Sequence, residues 1–457
     1  MRTTRKTRLA AVGISFALIL GACGDDGDDD AADDTTTTAA EDSGTTEPEG
    51  SGATAVAPED NGGRTEGDGE LVLGAVLPQS GNLAQLGPPM ISGAQMAERD
   101  INAAGGVLGQ DIRLIVKDDG GAGNNDLAVT SVDELINNEG VDAIVGAAAS
   151  GTTKAVIDRI TSSGTAQCSP SNTGSDLTEW DDRGLYFRTP PPDNLQALAL
   201  AKAISDDGHQ NVAIIAQNTD YGTGFVRYLE PALVDNGAEV VANVTYDETG
   251  TGIDAEVEEI VSSSPDAVAL IGYPEDGGKV VASMIQKGAG PSDVTIYVTD
   301  GMQSNELYTA VDESNPASTE GMRGTAASAA PEGGASFFPD AFAEFAPQVE
   351  SPIYSAQSYD CVIIMALAAQ KAQSDAPFDI AREIINVTKG ETPDAEKCET
   401  YADCVALLEA GTDINYEGAS GALDFTEWGE PSAGEYEVFT FGADGTYTTD
   451  DRIVVGE

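Results

Sequence analysis

The chain has 457 residues, of which 78 are acidic and 22 are basic, and its formal net charge at pH 7 is -56. A charge this negative excludes nucleic acids and anionic lipid surfaces as partners, because both require a basic patch. From about Glu70 onward the chain is long enough for one large domain or for two lobes.

The first 22 residues have the features of an export signal. Basic residues come first (Arg2, Arg5, Lys6 and Arg8), and Leu9 to Leu20 form an apolar run too short to span a bilayer. Leu20 to Cys23 resembles a bacterial lipobox, in which the cysteine is lipidated and the preceding peptide is removed. We therefore expect residues 1–22 to be a lipoprotein signal peptide and Cys23 to anchor the chain on the extracytoplasmic face of the membrane. The alternatives are an ordinary signal peptide with an incidental cysteine, and an uncleaved helix.

Residues 23–69 are rich in Asp, Glu, Thr, Gly, Ser and Pro and contain almost no aliphatic side chains. Such a segment cannot bury enough surface to offset the entropy of ordering it. We predict a disordered acidic tether, extended by repulsion between its carboxylates.

Strands and helices alternate after Glu70. The predicted strands of the first run are 71–77, 112–116, 141–145 and 166–169, and its helices are 88–103, 126–138 and 152–163. Pro190 to Pro192 interrupt the alternation. It restarts with strands at 212–216, 239–246, 267–272 and 295–298 and helices at 195–204, 223–234, 255–262 and 277–287. Two such runs predict an α/β protein with two doubly wound parallel-sheet lobes.

The last part of the chain has a different pattern. It predicts a long amphipathic helix at 355–373, a short turn and helix around Cys398 and Cys404, and strands at 436–441 and 446–449.

Polar loops follow several of the predicted strands, at the edge where open α/β sheets bind ligands. Hydroxyl-rich loops at 146–153 and 169–173 belong to the first run. Loops at 218–224, 272–275 and 299–301 belong to the second and carry tyrosines and carboxylates. Hydroxyls and helix N-terminal N-H groups suit a carboxylate, whereas a carboxylate with aromatic walls suits an ammonium group. The pattern predicts a zwitterionic ligand, although each residue alone has an ordinary explanation as a helix cap or packing group.

The chain also resembles the leucine/isoleucine/valine-binding branch of the type I periplasmic-binding-protein family, which serves ABC importers. The resemblance rests on residues spread along the domain: 78–81, Gly93, 100–106, Asp118-Asp119, 169–173, Tyr221-Gly222, 273–275 and 358–360. It implies a Venus-flytrap architecture with three hinge crossings, near Thr189, Thr325 and Phe425. The first lobe would then comprise residues 70–189 and 326–425, and the second 190–325 and 426–457.

The resemblance also implies roles for individual residues. Ser150 and Thr173 would bind the ligand's carboxylate, with backbone groups of Ser171 near its ammonium. Tyr221 and Tyr273 would form walls, and Asp300 would pair with the ammonium. Leu86 stands where some amino-acid binders have an aromatic residue, so the side-chain specificity is open.

Four cysteines remain besides Cys23, an even number in a chain expected to be exported. Cys398 and Cys404 are close enough for a local disulfide, and Cys168 and Cys361 would pair only if their segments pack together. The crossings implied by the resemblance return the long helix to the first lobe, which brings this second pair together. The spacings do not suit zinc and the single histidine, His209, lies in a polar turn, so we expect no metal site.

The resemblance implies delivery of a small amino acid, branched-chain or related, to an ABC permease, and three other functions are alternatives to it. For an enzyme, Gly222-x-Gly224 with Asp247 gives a partial dinucleotide pattern, but Arg227 occupies the third glycine position. The chain has no Gly-x-Ser-x-Gly elbow and one histidine, so we expect neither catalysis nor a cofactor. An amide- or urea-type solute and a ligand-sensing role at a membrane receptor remain alternatives. We expect a monomer.

Overall fold

The structure is a computed structural model that describes residues 57–58, 64, 66–332 and 334–456. The predicted signal peptide, Cys23 and most of the predicted tether lie outside these residues. Among the residues described, no helix is long and apolar enough to cross a membrane.

The first lobe is built on a five-stranded parallel sheet in the order β2-β1-β3-β4-β5. Its strands are β1 (Val72–Leu77), β2 (Arg113–Asp118), β3 (Ala143–Gly146), β4 (Ala166–Ser169) and β5 (Tyr186–Arg188). The helices that connect them are α1 (Gly87–Ala103), α2 (Asn125–Glu134), continued by a π-helical turn at Leu135–Glu139, and α3 (Ser150–Ser162). Every residue of β1 and β3 is buried, as expected for strands covered on both faces.

The second lobe repeats this pattern with a second sheet. Its helices are α4 (Asp193–Asp206), α5 (Asp220–Asp235), α6 (Asp254–Ser262), α7 (Pro274–Gln286) and α8 (Leu307–Asp312). Its parallel strands are β6 (Asn211–Gln217), β7 (Glu239–Tyr246), β8 (Ala267–Ile271), β9 (Thr295–Val298) and β10 (Arg323–Ala327).

The chain then returns to the first lobe before it ends in the second. The returning elements are α9 (Phe338–Phe345), α10 (Ser355–Ala372), α11 (Pro377–Lys389), β11 (Glu396–Cys398), α12 (Tyr401–Glu409), β12 (Ile414–Gly418) and β13 (Gly421–Ala422). Two antiparallel strands, β14 (Ala433–Phe441) and β15 (Tyr447–Gly456), extend the second sheet to the order β15-β14-β10-β9-β8-β6-β7. The predicted architecture of two parallel-sheet lobes is confirmed, with an antiparallel edge added to the second.

The chain passes between the two sheets three times: after β5, after β10 and after β13. The first and third passages contain Thr189 and Phe425, where crossings were expected. The second was expected near Thr325 and begins after Ala327, where β10 ends. Thr325 lies inside β10, because this strand stays paired with β14 as far as Ala327.

Helix α10 is buried on all sides, so the prediction of an amphipathic helix was wrong. Every residue from Ser355 to Gln370 is buried. The helix packs against α1, α11, α12 and the strands β3 and β4, so no face is left for water. Cys361 of this helix is bonded to Cys168 of β4, and Cys398 is bonded to Cys404.

Candidate ligand-binding site

Two loops of the first lobe, after β3 and after β4, are joined by hydrogen bonds from their own hydroxyls and amides. The Ser171 hydroxyl donates to the carbonyl of Ala148 at 2.9 Å, and the Asn172 amide donates to the same carbonyl at 2.7 Å. The Ser150 hydroxyl, at the start of α3, accepts from the N-H of Gly174 at 3.1 Å. Ser150, Ser171 and Thr173 are all buried. The structure therefore brings these three predicted residues together at the carboxyl end of the first sheet.

The second lobe contributes an aromatic and acidic group. The rings of Tyr221 and Tyr273 stack with their centroids 5.4 Å apart. Tyr221 lies in the first turn of α5, and its hydroxyl donates a hydrogen bond to Asp300 Oδ1 at 2.9 Å. Asp300 follows β9 and is 4% exposed. These three predicted residues also lie together, at the carboxyl end of the second sheet.

Two polar contacts join the lobes across this site. Tyr354, just before α10 in the first lobe, donates its hydroxyl to Asp300 Oδ2 of the second lobe at 2.5 Å. Lys154 of α3 pairs with Asp220 of α5 at 3.1 Å. These contacts bring the two groups of residues close together between the lobes, where they form one candidate site.

Asp193 is a site residue that the sequence analysis missed. It is the first residue of α4, directly after the first passage, and it is fully buried. Neither of its carboxylate oxygens makes a hydrogen bond of ordinary length and angle in the part of the chain that the structure describes, although the Thr173 hydroxyl is near enough to favour the charged form. Burial and then the charge of Asp300 raise its pKa well above the ordinary value, against the opposing effects of Thr173 and Arg188. Two carboxylates that repel each other inside the protein favour a cationic group between them.

The electrostatics of the tyrosines lead to the same conclusion. Burial raises the pKa of Tyr273, and the charges of Asp300, Asp276, Asp193 and Asp119 raise it further. Burial likewise raises the pKa of Asp300, although hydroxyls of Tyr354 and Tyr221 hydrogen-bond to its charged form. The nearby cation Arg188 is already paired with Glu430. The site is strongly electronegative and suits a positively charged group.

Leu86 is buried in a short helical turn (Ala84–Leu86) that leads into α1. It belongs to the apolar core of the first lobe, so its side chain offers a ligand only apolar contact.

A cavity of about 460 Å³ lies between the lobes, lined by Asn82 and Asn124 of the first and by Thr249, Asp276 and Lys279 of the second. Asp276 connects this cavity to the buried site, since its carboxylate accepts the N-H of Tyr273 at 3.4 Å.

One residue of the partial dinucleotide pattern, Gly222, has a packing role. A side chain at Gly222 would collide with the backbone of Gln217, so this glycine allows α5 to lie close to the end of β6. No cluster of metal-binding side chains occurs among the described residues.

Two α/β lobes joined by three passages, with polar loops meeting between them, define a two-lobed binding protein of the Venus-flytrap type. Residues 70–426 match the family described as periplasmic binding protein, and the chain belongs to this family. Its type I, leucine/isoleucine/valine-binding-like character is supported by relatives and by solved structures.

The chemotactic signal transduction system substrate-binding protein BasB of Halobacterium salinarum is 26% identical over 377 residues, covering 80% of this chain and 85% of BasB. The Leu/Ile/Val-binding protein BraC3 of Rhizobium johnstonii is 27% identical over 339 residues, covering 71% of this chain and 89% of BraC3. The branched-chain amino acid transporter substrate binding protein LivJ of Streptococcus pneumoniae, solved in complex with isoleucine, superposes with a TM-score of 0.68. LivJ is 23% identical, and the alignment covers 85% of this chain and all of LivJ.

Proposed function

We propose that this protein binds a small amino acid between its lobes, outside the cytoplasm, and delivers it to an ABC permease. The observation that carries the proposal is the pair of buried carboxylates, Asp193 and Asp300, facing the hydroxyl-rich loops of the first lobe. An amino acid supplies a cation for the carboxylates and an anion for the hydroxyls and N-H groups.

The roles follow from the positions of the groups. Ser150 and Thr173, with the N-terminus of α3, bind the ligand's carboxylate, and Ser171 contributes backbone groups near its ammonium. Asp300 and Asp193 bind the ammonium. Tyr221, Tyr273 and Leu86 surround the ligand's apolar part. A neutral amide or urea would leave both carboxylates without a cation, so the site favours an amino acid over that alternative.

The names of the relatives support the ligand class. BraC3 is named as a Leu/Ile/Val-binding protein, and LivJ holds isoleucine. Closure of the lobes completes the site, since Tyr354 and Asp300 come from different lobes. The ligand therefore favours the closed arrangement through contacts that only this arrangement provides.

A thermal-shift screen of the protein against amino acids, amides, polyamines and aromatic acids tests the ligand class. We expect branched-chain or related amino acids to raise the melting temperature, because a ligand that binds only the folded state stabilises it. A screen in which amides raise the melting temperature and no amino acid does so would contradict the proposal.

Ligand sensing is a second candidate, favoured by the similarity to BasB, which is named as part of a chemotactic signal transduction system. A permease and an ATPase that copurify with the protein would support delivery. Copurification with a membrane receptor instead would support sensing.

Anchoring through Cys23 is part of the same proposal. The protein from the membrane fraction should carry a lipid on an N-terminal Cys23, as mass spectrometry would detect. Cys23→Ser should release the protein from the membrane, because the remaining chain would carry no acyl group. A variant that remains in the membrane fraction would contradict lipid anchoring.

A further inference from the structure

A groove on the first lobe contains both tryptophans of the chain. Trp180 precedes β5 and Trp428 lies in the third passage, and together they line a cavity of about 550 Å³. Ala57 and Pro58, from the segment before β1, line the same groove. Aromatic grooves are a known docking place for proline-containing segments.

Unpaired cations are also concentrated in this groove. Within the described part of the chain, the basic residues without an ion pair are Arg183, Arg227, Arg382 and Lys389. Arg183, Arg382 and Lys389 line the groove, whereas Arg227 lies on α5 of the second lobe. Arg382 and Lys389 are seven residues apart on α11 and so share one face of that helix.

The segment that reaches the groove carries the opposite charge. Glu59 and Asp60 follow Pro58, and Arg64 is the only cation between Gly24 and Gly69, where acidic residues are numerous. Two acidic residues of the groove, Asp182 and Glu427, form no ion pair with its cations within the described part of the chain. The Asp182 carboxylate instead accepts the N-H of Gly184 at 2.7 Å. The acidic segment is therefore attracted to the three cations of the groove, Arg183, Arg382 and Lys389.

Further contacts hold the described residues that follow Pro58. Arg64 pairs with the buried Asp142 and donates to the carbonyl of Gly140 at 3.1 Å. The N-H groups of Asp68 and Gly69 donate to Asp375 Oδ2 at 3.0 and 2.8 Å. All of these partners belong to the first lobe. We call residues 57–58, 64 and 66–69 the strap.

We infer that the strap docks on the first lobe, with Pro58 in the tryptophan groove, and that the acidic N-terminal segment is thereby fixed to this lobe alone. The attachment point lies beside Trp428 and Gly429, in the third passage between the lobes. The second lobe carries no part of the strap and is free to move relative to an attached first lobe. This inference goes beyond the proposed function and holds whatever the ligand is.

Tryptophan fluorescence tests the docking directly, because both tryptophans of the chain lie in the groove. In the exported protein, Ala57→Gly combined with Pro58→Gly should shift the emission to the red and increase quenching by acrylamide, since both rings gain contact with water. Pro48→Gly, a matched change in the same acidic segment, should leave both readouts unchanged. Identical emission and quenching in all three proteins would overturn the inference.

A second set of variants tests the role of charge. Arg382→Glu combined with Lys389→Glu should increase the quenching in the same way, because the acidic segment would be repelled. Arg227→Glu is the matched control, since Arg227 is also unpaired but lies on the second lobe, and it should have no effect. An equal effect of both charge reversals would overturn the electrostatic part of the docking.

A photoreactive residue in place of Pro58 identifies the occupant. Cross-links to peptides 179–187, 382–389 or 427–429 of the same chain would support the inference. Cross-links found only between two chains would assign the groove to a second copy and overturn it.

Discussion

Asp300 accepts hydrogen bonds from a hydroxyl of each lobe, Tyr354 of the first and Tyr221 of the second. It is the proposed partner of the ligand's ammonium. Asp300→Asn should weaken binding of an amino acid by about 2–4 kcal/mol, because a desolvated ammonium loses its charged partner. Ser150→Ala should cost about 1 kcal/mol, since one neutral donor among several is lost. Calorimetric titration measures both changes. Asp293→Asn, at an exposed position, serves as the control, and an unchanged affinity in Asp300→Asn would show that the ligand's cation binds elsewhere.

Asp193 should show opposite effects on stability and on binding. Its buried carboxylate makes no hydrogen bond of ordinary length and angle among the described residues and is repelled by Asp300, and both effects cost folding free energy. Asp193→Asn should therefore raise the melting temperature while it weakens amino-acid binding. A residue with a purely structural role would lose stability and affinity together. That outcome, measured by calorimetry and thermal unfolding, would remove Asp193 from the proposed site.

At the scale of elements, a buried ion pair connects two of the passages to a ligand loop. Arg188, at the end of β5, is fully buried and pairs with Glu430 of the third passage at 2.5 Å. It also donates to the carbonyl of Gly174, next to Thr173, at 2.8 Å. The pair therefore fixes the loop that holds Thr173 relative to two of the three connections between the lobes.

Removing one partner of this pair should destabilise the protein strongly. Arg188→Met should lower the free energy of unfolding by about 3–5 kcal/mol, because Glu430 is left buried without a partner. Combining it with Glu430→Leu should recover much of this loss, as denaturant unfolding would show. Arg159→Met is the control, since its pair with Asp133 is exposed and worth little. A double variant no more stable than Arg188→Met would contradict this account.

Most elements could be predicted from the sequence because short apolar runs bounded by polar turns are typical of buried parallel strands. Strands β4, β7 and β9 begin and end at the predicted residues. The burial of α10 could not be predicted, because the sequence does not show that a charged residue of this helix finds partners inside the protein. Asp360, for example, accepts the hydroxyl of Tyr416 at 2.7 Å. Asp193 escaped notice because an acidic residue at a helix start is fully explained by the helix dipole. No pattern pointed to Tyr354, whose role depends on the meeting of the lobes.

At the scale of the whole molecule, buried carboxyl groups determine how stability depends on pH. Burial raises the pKa of four of them, Asp119, Asp182, Asp276 and Asp360, from an ordinary 3.8 to about 6. The folded state therefore binds these protons more tightly than the unfolded chain. The resulting stabilisation is complete when the pH is below the pKa of these groups in the unfolded chain, and it is lost as the pH rises through about 6. Asp118 and Asp375 behave in the opposite way, because hydrogen bonds outweigh burial and lower their pKa. For Asp118 these come from the Ser80 hydroxyl and from backbone N-H groups, and for Asp375 mainly from backbone N-H groups.

We therefore expect the melting temperature to be higher at about pH 5 than at about pH 7.5, and to fall again below about pH 4. The chain has a formal net charge of -56, and its self-repulsion decreases when the pH falls from about 7.5 to about 5. This effect also raises the melting temperature at about pH 5. Asp276→Asn should reduce the difference, since one of the titrating groups is removed, whereas the exposed Asp293→Asn should not. A melting temperature that rises steadily from pH 5 to 7.5 would contradict this prediction.

The two disulfides constrain very different lengths of chain. Cys168–Cys361 closes a loop with a sequence separation of 193, which contains α4 to β10 of the second lobe, whereas Cys398–Cys404 has a separation of 6. Loop-closure entropy predicts a stabilisation of about 5 kcal/mol for the first and about 2 kcal/mol for the second. Replacing Cys168 and Cys361 with alanine should therefore lower the free energy of unfolding more than replacing Cys398 and Cys404. All four cysteines are buried, so the lost volume is matched between the two variants.

Mass spectrometry of the unreduced protein checks the pairing first, and free thiols at Cys168 and Cys361 would contradict both the disulfide and the return of α10 to the first lobe.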